Sequence, residues 1–100
     1  MPRTGVVYML ASKRGGTLYT GVTSDLPGRL EQHRTGTGSR FAARHGALRL
    51  VWYEEHDLVV RAITREKTIK KWPRAWKVNA IEALNPDWQD LSSHWLLGHG

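Results

Sequence analysis

The segment from Thr17 to His33 most constrains the fold, because it contains in turn the patterns of a strand, a turn and a helix. Apolar and β-branched residues alternate here with Tyr19 and Gly21, and this period of two is typical of a strand. Three residues with short, oxygen-bearing side chains follow and can cap a helix: Thr23, Ser24 and Asp25. The segment therefore predicts a strand that turns tightly into a helix.

The helix of this segment predicts where chemistry would take place. Four of its residues follow three- and four-residue spacing and share one face: Leu26, Arg29, Leu30 and His33. The two leucines need a core, so Arg29 and His33 are expected beside that core, next to the strand that carries Tyr19. A guanidinium, an imidazole and a phenol would then converge on one patch. Such a patch can orient a proton and hold a phosphate.

The rest of the chain predicts two further strands, at Gly5–Ala11 and Leu48–Glu55, and two further helices, at Leu58–Trp72 and Arg74–Leu84. Two glycines in Lys13–Gly16 favour a hairpin, so the first two strands should pair antiparallel. Asp57 is expected to cap the helix that follows it, and Thr35–Gly46 is expected to be an irregular loop. Alternation in the third strand predicts one face with Leu48, Leu50 and Trp52, and another with Arg49, Val51 and Tyr53.

Length and composition predict a single domain at residues 1–100, with residues 88–100 as a C-terminal tail. A hydrophobic content of 40% and five tryptophans favour a folded chain. The chain has no cysteine, which excludes disulfide scaffolds and zinc–thiolate sites. We find no apolar run long enough for a signal peptide or a membrane helix, so the expected location is the cytoplasm.

Positive charge is concentrated in one segment of the chain. The formal net charge is +6 and the sequence pI is about 10.2, so a polyanion such as nucleic acid is the natural partner. Residues 61–77 hold one acid, Glu66, against seven bases: Arg61, Arg65, Lys67, Lys70, Lys71, Arg74 and Lys77. This segment accounts for the whole net charge. The alternative interpretation is a solvated helix face, which is the usual role of a charge run.

Glu66 is the most informative residue of that segment. It lies within the apolar stripe of the predicted helix, three or four residues from Ala62, Ile63 and Ile69. A carboxylate in such a place is costly unless it is paired or bound to a cation. Two interpretations stay open. One is an ion pair, with Lys70 or with a base elsewhere in the core; the other is a ligand of Mg²⁺, which takes one or two carboxylates together with waters and substrate phosphates.

The order and spacing of these residues resemble the GIY-YIG nuclease family. Val6-Val7-Tyr8 stands where the family has Gly-Ile-Tyr, and Tyr19-Thr20-Gly21 stands where it has Tyr-Ile-Gly; Arg29, His33 and Glu66 follow in the family order. Three longer motifs look like a small, single-domain, uncharacterised group of the family: Leu-Tyr-Thr-Gly-Val-Thr-Ser-Asp-Leu-x-x-Arg-Leu-x-x-His, Arg-Glu-Lys-x-Ile-Lys-Lys-Trp and Asn-Pro-Asp-Trp-x-Asp-Leu. The resemblance covers nearly the whole chain.

The resemblance implies a fold and a reaction. The fold would be α+β, a three-stranded antiparallel sheet flanked by three or more helices, in agreement with the predicted order of elements. The reaction would be metal-assisted hydrolysis of a phosphodiester bond in one step. Tyr19 would be the general base, Arg29 would hold the nonbridging phosphate oxygens, and Glu66 would hold one Mg²⁺ or Mn²⁺ ion.

Three further residues complete the site that the resemblance implies. His33 would hydrogen-bond Tyr19 or the attacking water, and Tyr8 would line the site from the neighbouring strand. Asn85 is taken as the late asparagine of the family, with Asn79 as its rival. One departure bears on the chemistry: a lysine that some members carry just after the second glycine is Val22 here, which removes one helper of the base.

The expected function is therefore a metal-dependent endonuclease that hydrolyses phosphodiester bonds in DNA rather than RNA. It would be structure-selective or weakly sequence-specific, and would act in repair or recombination. The residues expected to contact nucleic acid are Arg40, Arg65, Lys67, Lys70, Lys71, Arg74 and Lys77. No targeting domain is recognised, so a partner protein or a structured substrate is expected to supply targeting. The alternative function is a catalytically weak or inactive nucleic-acid-binding module on the same fold.

Overall fold

The computed structural model describes residues 3–36 and 40–93, and of residues 40–42 only the backbone. In chain order the elements are β1 (Gly5–Ala11), β2 (Leu18–Thr23), α1 (Leu26–Arg34), α2 (Arg40–His45), β3 (Arg49–His56), α3 (Val59–Lys70) and α4 (Arg74–Leu84). The three strands form one antiparallel sheet in the order β2-β1-β3. The predicted α+β class, with helices around a three-stranded antiparallel sheet, is confirmed. Within the described ranges, none of the helices has the length and apolar character needed to cross a bilayer.

The central strand explains the nearly continuous apolar run near the start of the chain. β1 pairs with β2 on one side and with β3 on the other, and Val7 to Ala11 are almost completely buried. Alternate side chains of β1 therefore enter different cores, so no position on this strand faces water on both sides. The predicted hairpin between β1 and β2 is confirmed, and Gly15 adopts the positive φ of 69° that its turn requires.

Two hydrophobic cores lie on opposite faces of the sheet, which makes the sheet the middle layer of three. The core beneath α1 contains Tyr8, Leu10, Leu26, Leu30, Ala47 and Leu50. The core beneath α3 and α4 contains Val7, Met9, Ala11, Val51, Trp52, Ala62, Ile69, Ile81 and Trp88. The helices on the two faces can thus both direct side chains toward the outer strand β2.

An irregularity in the third strand overturns the predicted assignment of its faces. The register between β1 and β3 shifts so that Met9 pairs with Trp52 while Leu10 pairs with Leu50. The additional residue, Val51, breaks the alternation, as a β-bulge does. Leu50 consequently packs in the core beneath α1, whereas Trp52 packs in the core beneath α3 and α4. A strict period of two placed both residues on one face and was wrong.

A short helix replaces part of the predicted irregular loop. α2 occupies Arg40–His45, and Gly46 ends it with a positive φ of 63°. Two alanines within it favour helix, but six residues are too few for the periodicity that identifies a helix in a sequence. Residues 37–39 lie outside the part of the chain that the structure describes.

The helix caps are formed differently at α1 and α3. Asp25 caps α1, as one of the three candidates, by accepting a hydrogen bond from the Gly28 amide at 3.2 Å. Asp57 was expected to cap α3, but Leu58 occupies that position without a side-chain cap. The Asp57 carboxylate instead pairs with Arg61 at 3.2 Å, one helical turn further on.

The segment that follows α4 ties three elements together. Trp88 is 1% exposed in the core beneath α3 and α4, and the Leu91 amide donates to the Leu50 carbonyl at 2.8 Å. Arg34, at the end of α1, donates to Ser92 Oγ at 2.6 Å and pairs with Asp90 at 3.3 Å. These contacts connect the segment after α4 with β3 and with the end of α1. Residues 94–100 of the predicted tail, including Trp95 and Leu96, lie outside the described residues.

Candidate active site

Tyr8 and Gly21 form the structural basis of the site, because they face each other across β1 and β2. A Cβ atom built on Gly21 would lie 2.5 Å from Tyr8 Oη, 2.6 Å from Tyr8 Cζ and 3.0 Å from Tyr19 Cε1. Real Cβ atoms do not approach that closely, so no other residue fits at position 21 without a shift of both tyrosines. The missing side chain lets the Tyr8 phenol extend over the outer strand.

Three rings gather above that glycine. Tyr8 Oη lies 3.0 Å from His33 Nε2, and this hydrogen bond is buried. The ring centroids of Tyr19 and His33 lie 5.2 Å apart, and those of Tyr8 and Tyr19 lie 6.2 Å apart. His33 comes from α1 and is 2% exposed. The structure therefore brings His33 to Tyr19, as the helix spacing predicts, and adds Tyr8, which the family resemblance expected on the neighbouring strand.

Burial shifts the pKa values of Tyr8 and His33 in opposite directions. Desolvation raises the pKa of Tyr8 well above its usual range, and the neighbouring Tyr19 raises it further. Desolvation lowers the pKa of His33 below its usual value of 6.5, and the Arg29 guanidinium lowers it further. At neutral pH His33 is therefore a neutral imidazole and Tyr8 keeps its proton. Tyr8 is held by its hydrogen bond with His33 Nε2, and the half-exposed Tyr19 is the phenol that water can approach.

Arg29 lies close to this cluster on α1. Its charge lowers the pKa values of both Tyr8 and His33, so the guanidinium acts on both rings. Within residues 3–36 and 40–93, Arg29 forms no ion pair, which leaves its side chain without an internal carboxylate partner. A guanidinium beside a proton-carrying cluster is suited to bind a phosphate through paired N–H groups.

Glu66 approaches from α3, in the layer opposite α1. Its side chain is 13% exposed, and its charge is one of the causes that raise the pKa of Tyr8. The predicted partner is present: Lys70 Nζ lies 3.3 Å from Glu66 Oε2. Lys70 is 51% exposed, so this i,i+4 pair contributes only about 0.3–0.5 kcal/mol and a divalent cation can displace it.

The carboxylate of Glu66 fits a divalent cation that shares its coordination with substrate. The described residues contain no group of three His, Cys, Asp or Glu side chains that could hold a metal ion. A lone, largely buried carboxylate beside the tyrosine cluster is the donor set expected for Mg²⁺ or Mn²⁺ when waters and phosphate oxygens supply the remaining ligands. Glu66 is therefore a candidate metal ligand in competition with Lys70.

The late asparagine is committed to the backbone. Asn85 is 6% exposed; its Nδ2 donates to the carbonyls of Val51 at 3.1 Å and Gln89 at 2.8 Å, and its Oδ1 accepts from the Gln89 amide at 3.0 Å. One amide N–H thus connects the end of α4 with β3, and the other holds the segment that follows α4. The rival, Asn79, is exposed on α4.

The basic residues of the charge-rich segment have separate roles in the structure. Arg65 pairs with Glu54 at 3.0 Å and lies 5.1 Å over the Trp72 ring. Arg74 donates to the carbonyls of Gly15 at 2.8 Å and Gly16 at 2.7 Å. Lys67 and Lys71 are exposed, and Lys77 is half-buried. The Arg40 side chain lies outside the part that the structure describes. Arg65 and Arg74 are thus engaged within the chain, whereas the exposed lysines are open to solvent.

Two exposed bases near the site were missed in the sequence. Lys13 and Arg14 occupy the turn between β1 and β2, directly before the strand that carries Tyr19. The charges outside residues 61–77 sum to zero, so these two bases did not stand out as a basic segment. The signal available was their position in a hairpin turn next to the predicted general base.

Comparison with known proteins identifies the family of this chain. A family model described as the GIY-YIG catalytic domain matches residues 4–79. A UPF0213 protein of Aeromonas salmonicida (strain A449) is 36% identical over 88 residues, which cover 87% of this chain and 63% of that protein. A UPF0213 protein of Streptococcus sanguinis (strain SK36) is 34% identical over 76 residues, which cover 75% of this chain and 87% of that protein. This chain thus spans less than two thirds of the Aeromonas relative.

The solution NMR structure of a UPF0213 protein from Bacillus halodurans has the same fold, with a TM-score of 0.54 and 24% identity over 90% of this chain and 96% of that one. The family-model match includes all three strands, α1, α3 and the tyrosine, arginine, histidine and glutamate positions, whereas Asn85 lies beyond it. From this match the chain belongs to the GIY-YIG family, a family of nuclease catalytic domains.

Proposed function

We propose that this chain is a metal-dependent endonuclease that hydrolyses phosphodiester bonds in DNA, with structure selectivity or weak sequence specificity, and that it works in the cytoplasm in repair or recombination. The observation that supports this most is the buried hydrogen bond between Tyr8 and a neutral His33, with Tyr19 beside it above Gly21. This arrangement supplies groups that exchange a proton at neutral pH next to an arginine that has no carboxylate partner among the described residues.

Tyr19 acts in this proposal as the general base. A water molecule attacks the phosphorus atom, the new P–O bond forms as the bond to the leaving oxygen breaks, and the Tyr19 oxygen takes the proton of the water. The Tyr19 phenol gives its own proton to the neutral His33 imidazole, whose ring centroid lies 5.2 Å from that of Tyr19, as its oxygen takes the proton of the water. Tyr8 keeps its own proton and orients His33 through the hydrogen bond at Nε2.

Arg29 and Glu66 act on the phosphate in this proposal. The Arg29 guanidinium holds the nonbridging oxygens, on which negative charge grows as water attacks. Glu66 would hold one Mg²⁺ or Mn²⁺ ion, which when bound supplies a positive charge that stabilises the leaving oxygen. The displaced Lys70 ammonium would remain nearby and is free to interact with substrate.

The test is a cleavage assay on branched, nicked, single-stranded and supercoiled DNA with Mg²⁺ and with Mn²⁺. The wild type should cleave at least one DNA form. Arg29→Lys keeps the charge but loses the guanidinium fork, so cleavage should fall by about 10²–10³-fold. Arg61→Lys is the matched control, because Arg61 is exposed and paired with Asp57 at the start of α3. An Arg29→Lys variant as active as the control would contradict the proposed role.

The alternative function, a binding module without catalysis, is favoured by one observation. The carboxylate needed for the metal is already paired with Lys70. If that pair persists when nucleic acid is bound, the metal has no ligand on α3. DNA binding without cleavage of any DNA form, in either metal, would favour this alternative.

A further inference from the structure

The guanidinium of Arg74 joins two basic segments that are far apart in the sequence. Arg74 is the first residue of α4, and its Nη2 donates to two consecutive carbonyls in the turn between β1 and β2: Gly15 at 2.8 Å and Gly16 at 2.7 Å. One planar guanidinium thus fixes the turn against the junction of α3 and α4. Both hydrogen bonds come from Nη2, which lies one bond further from the backbone than a lysine ammonium, so a lysine keeps the charge but does not reach the two carbonyls in the same way.

The turn itself has a defined conformation. The Gly16 amide donates to the Lys13 carbonyl at 2.9 Å, and the Ser12 amide donates to the Thr17 carbonyl at 3.1 Å. The Ser12 hydroxyl also accepts from the Thr17 amide at 3.0 Å. With these bonds and the Arg74 contacts, the backbone of the turn has little freedom, and its side chains leave from fixed points.

The side chains that leave the turn are cationic. Lys13 and Arg14 are exposed, and neither side chain has an ion-pair or hydrogen-bond partner in residues 3–36 and 40–93. Lys71 lies three residues before Arg74 and Lys77 lies three residues after it, so both flank the point at which the turn is docked. Neither lysine forms an ion pair with a described residue. These four cations therefore surround the Arg74 contact without internal neutralisation.

This surface continues from the candidate active site. The turn leads directly into β2, which carries Tyr19, and α3 carries Glu66 about one turn of helix before Lys71. A nucleic-acid strand with its phosphate at Tyr19 and Arg29 can therefore extend toward the docked turn over a short distance. Ion-paired bases such as Arg61 and Arg65 lie on a different side of α3, next to Asp57 and Glu54.

We propose that the β1–β2 turn and the junction of α3 and α4 form one phosphate-binding surface, in which Lys13, Arg14, Lys71 and Lys77 contact the nucleic-acid backbone and Arg74 positions the turn. The surface deepens the proposed nuclease function, on which it rests, by assigning a path for the strand beyond the cleaved phosphate. Arg74 is a positioning residue here and not a phosphate ligand, because its guanidinium is occupied by the two carbonyls.

The experiment measures binding of fluorescein-labelled double-stranded and branched DNA by anisotropy, in EDTA so that metal-dependent cleavage does not interfere, over a range of salt concentrations. Each phosphate contact contributes a slope of about −0.9 to the dependence of log affinity on log salt. Lys13→Ala/Arg14→Ala should therefore flatten the slope by about 1.8. The control Arg3→Ala/Arg61→Ala removes the same net charge from exposed residues away from the turn and should leave the slope almost unchanged.

A second arm tests the positioning role. Arg74→Lys keeps the charge, so a mere loss of charge cannot explain any change it makes. It should weaken binding and flatten the slope in the wild-type background, because the turn is no longer held, and should have no further effect in the Lys13→Ala/Arg14→Ala background. Circular dichroism identifies any variant that has lost its fold, and the Arg3→Ala/Arg61→Ala control sets the baseline.

The outcomes separate this inference from the proposed function. Binding by the wild type with equal slopes for the turn variant and the control would overturn the inference and leave the nuclease proposal in place. Additive effects of Arg74→Lys and the turn substitutions would overturn the positioning role. Absence of any binding by the wild type at low salt would overturn both proposals.

Discussion

The two halves of the candidate site are built in different ways. The half made by the sheet and α1 is buried and held by direct contacts: Tyr8 extends over Gly21 and shares a hydrogen bond of 3.0 Å with His33 Nε2. The half made by α3 is a single carboxylate, Glu66, which is held by a partly exposed lysine at 3.3 Å and influences Tyr8 through its charge. The first half is held in place by packing. The second is held by an ion pair whose lysine a metal ion can replace.

This difference suggests a division of work. Groups that must exchange a proton need a constant geometry, and packed rings over a glycine provide it. A group that binds a metal together with substrate phosphate benefits from a partner that can leave, and a half-exposed lysine provides that. In the free protein Lys70 neutralises the carboxylate, so the proposed site is completed only when substrate and ion arrive.

The largest effect on cleavage is expected from a substitution in the α3 half of the site. Glu66→Gln removes the negative charge but keeps the size of the side chain, so the fold should be retained while metal-dependent cleavage falls to background. Lys70→Gln removes the same ion pair and leaves the carboxylate, so it should continue to cleave. Rates on the best DNA substrate, with Mg²⁺ titrated, distinguish the two variants. Equal losses in both would show that the ion pair matters and the metal ligand does not.

Gly21→Ala tests whether packing fixes the other half. The new methyl group would enter the space of Tyr8 Oη and Cζ, so the tyrosine or β2 must shift. Such overpacking should cost about 1–3 kcal/mol of unfolding free energy and should reduce cleavage as well. Thr20→Val is the control on the opposite face, where the Thr20 hydroxyl is buried without a hydrogen-bond partner among the described residues, so its removal should not destabilise. Chemical denaturation measures both, and an unchanged Gly21→Ala would contradict the account.

Asn85→Ala should lower the unfolding free energy by about 1–2 kcal/mol, because it leaves the Val51 and Gln89 carbonyls without the donor they have now. Asn79→Ala, at an exposed position on α4, should change stability little. Comparison of these two variants tests whether Asn85 contributes to the stability of the fold or to the reaction. If Asn85→Ala were as stable as the control but inactive, Asn85 would have a direct role in the reaction.

The smallest expected effect is a dependence of stability on pH. Burial lowers the pKa of His33 in the folded protein, so below about pH 6.5 the unfolded chain binds a proton that the folded chain does not. Stability should therefore be constant above that pH and should fall as the pH is lowered toward the folded-state pKa. His33→Gln should reduce this slope, whereas His45→Gln, at an exposed position, should not. A slope that is the same in both variants would exclude His33 as its source.

Local patterns in the sequence predicted the parts of the molecule that depend on local chemistry. The strand, cap and helix around Tyr19 and Arg29 were predicted because each follows from spacing and capping. The bulge at Val51 was not predicted, since it exists only as a mismatch between two paired strands. The Arg74 contacts were not predicted either, because Gly15 and Gly16 are far from Arg74 in the chain and meet it only after α4 docks.

The sequence also left the state of Glu66 open for a physical reason. Spacing shows that Lys70 is within reach and that the surroundings are apolar, but it does not decide which cation the carboxylate prefers. The structure shows the pair with Lys70 at 3.3 Å and places the carboxylate near the tyrosines. The ion-pair interpretation therefore describes Glu66 in the free protein, and the metal-ligand interpretation describes it in the proposed complex.

The most direct test of the account compares the two tyrosines, since it assigns the proton transfer to Tyr19 and a positioning role to Tyr8. Each Tyr→Phe substitution removes one hydroxyl and keeps the ring. Single-turnover cleavage of one DNA substrate should fall by about 10²–10⁴-fold in Tyr19→Phe, as expected for loss of a general base, and by clearly less in Tyr8→Phe, which loses hydrogen bonds to His33 and Tyr19 but not the base itself. Cleavage at the wild-type rate by Tyr19→Phe, together with a severe loss in Tyr8→Phe, would contradict the account.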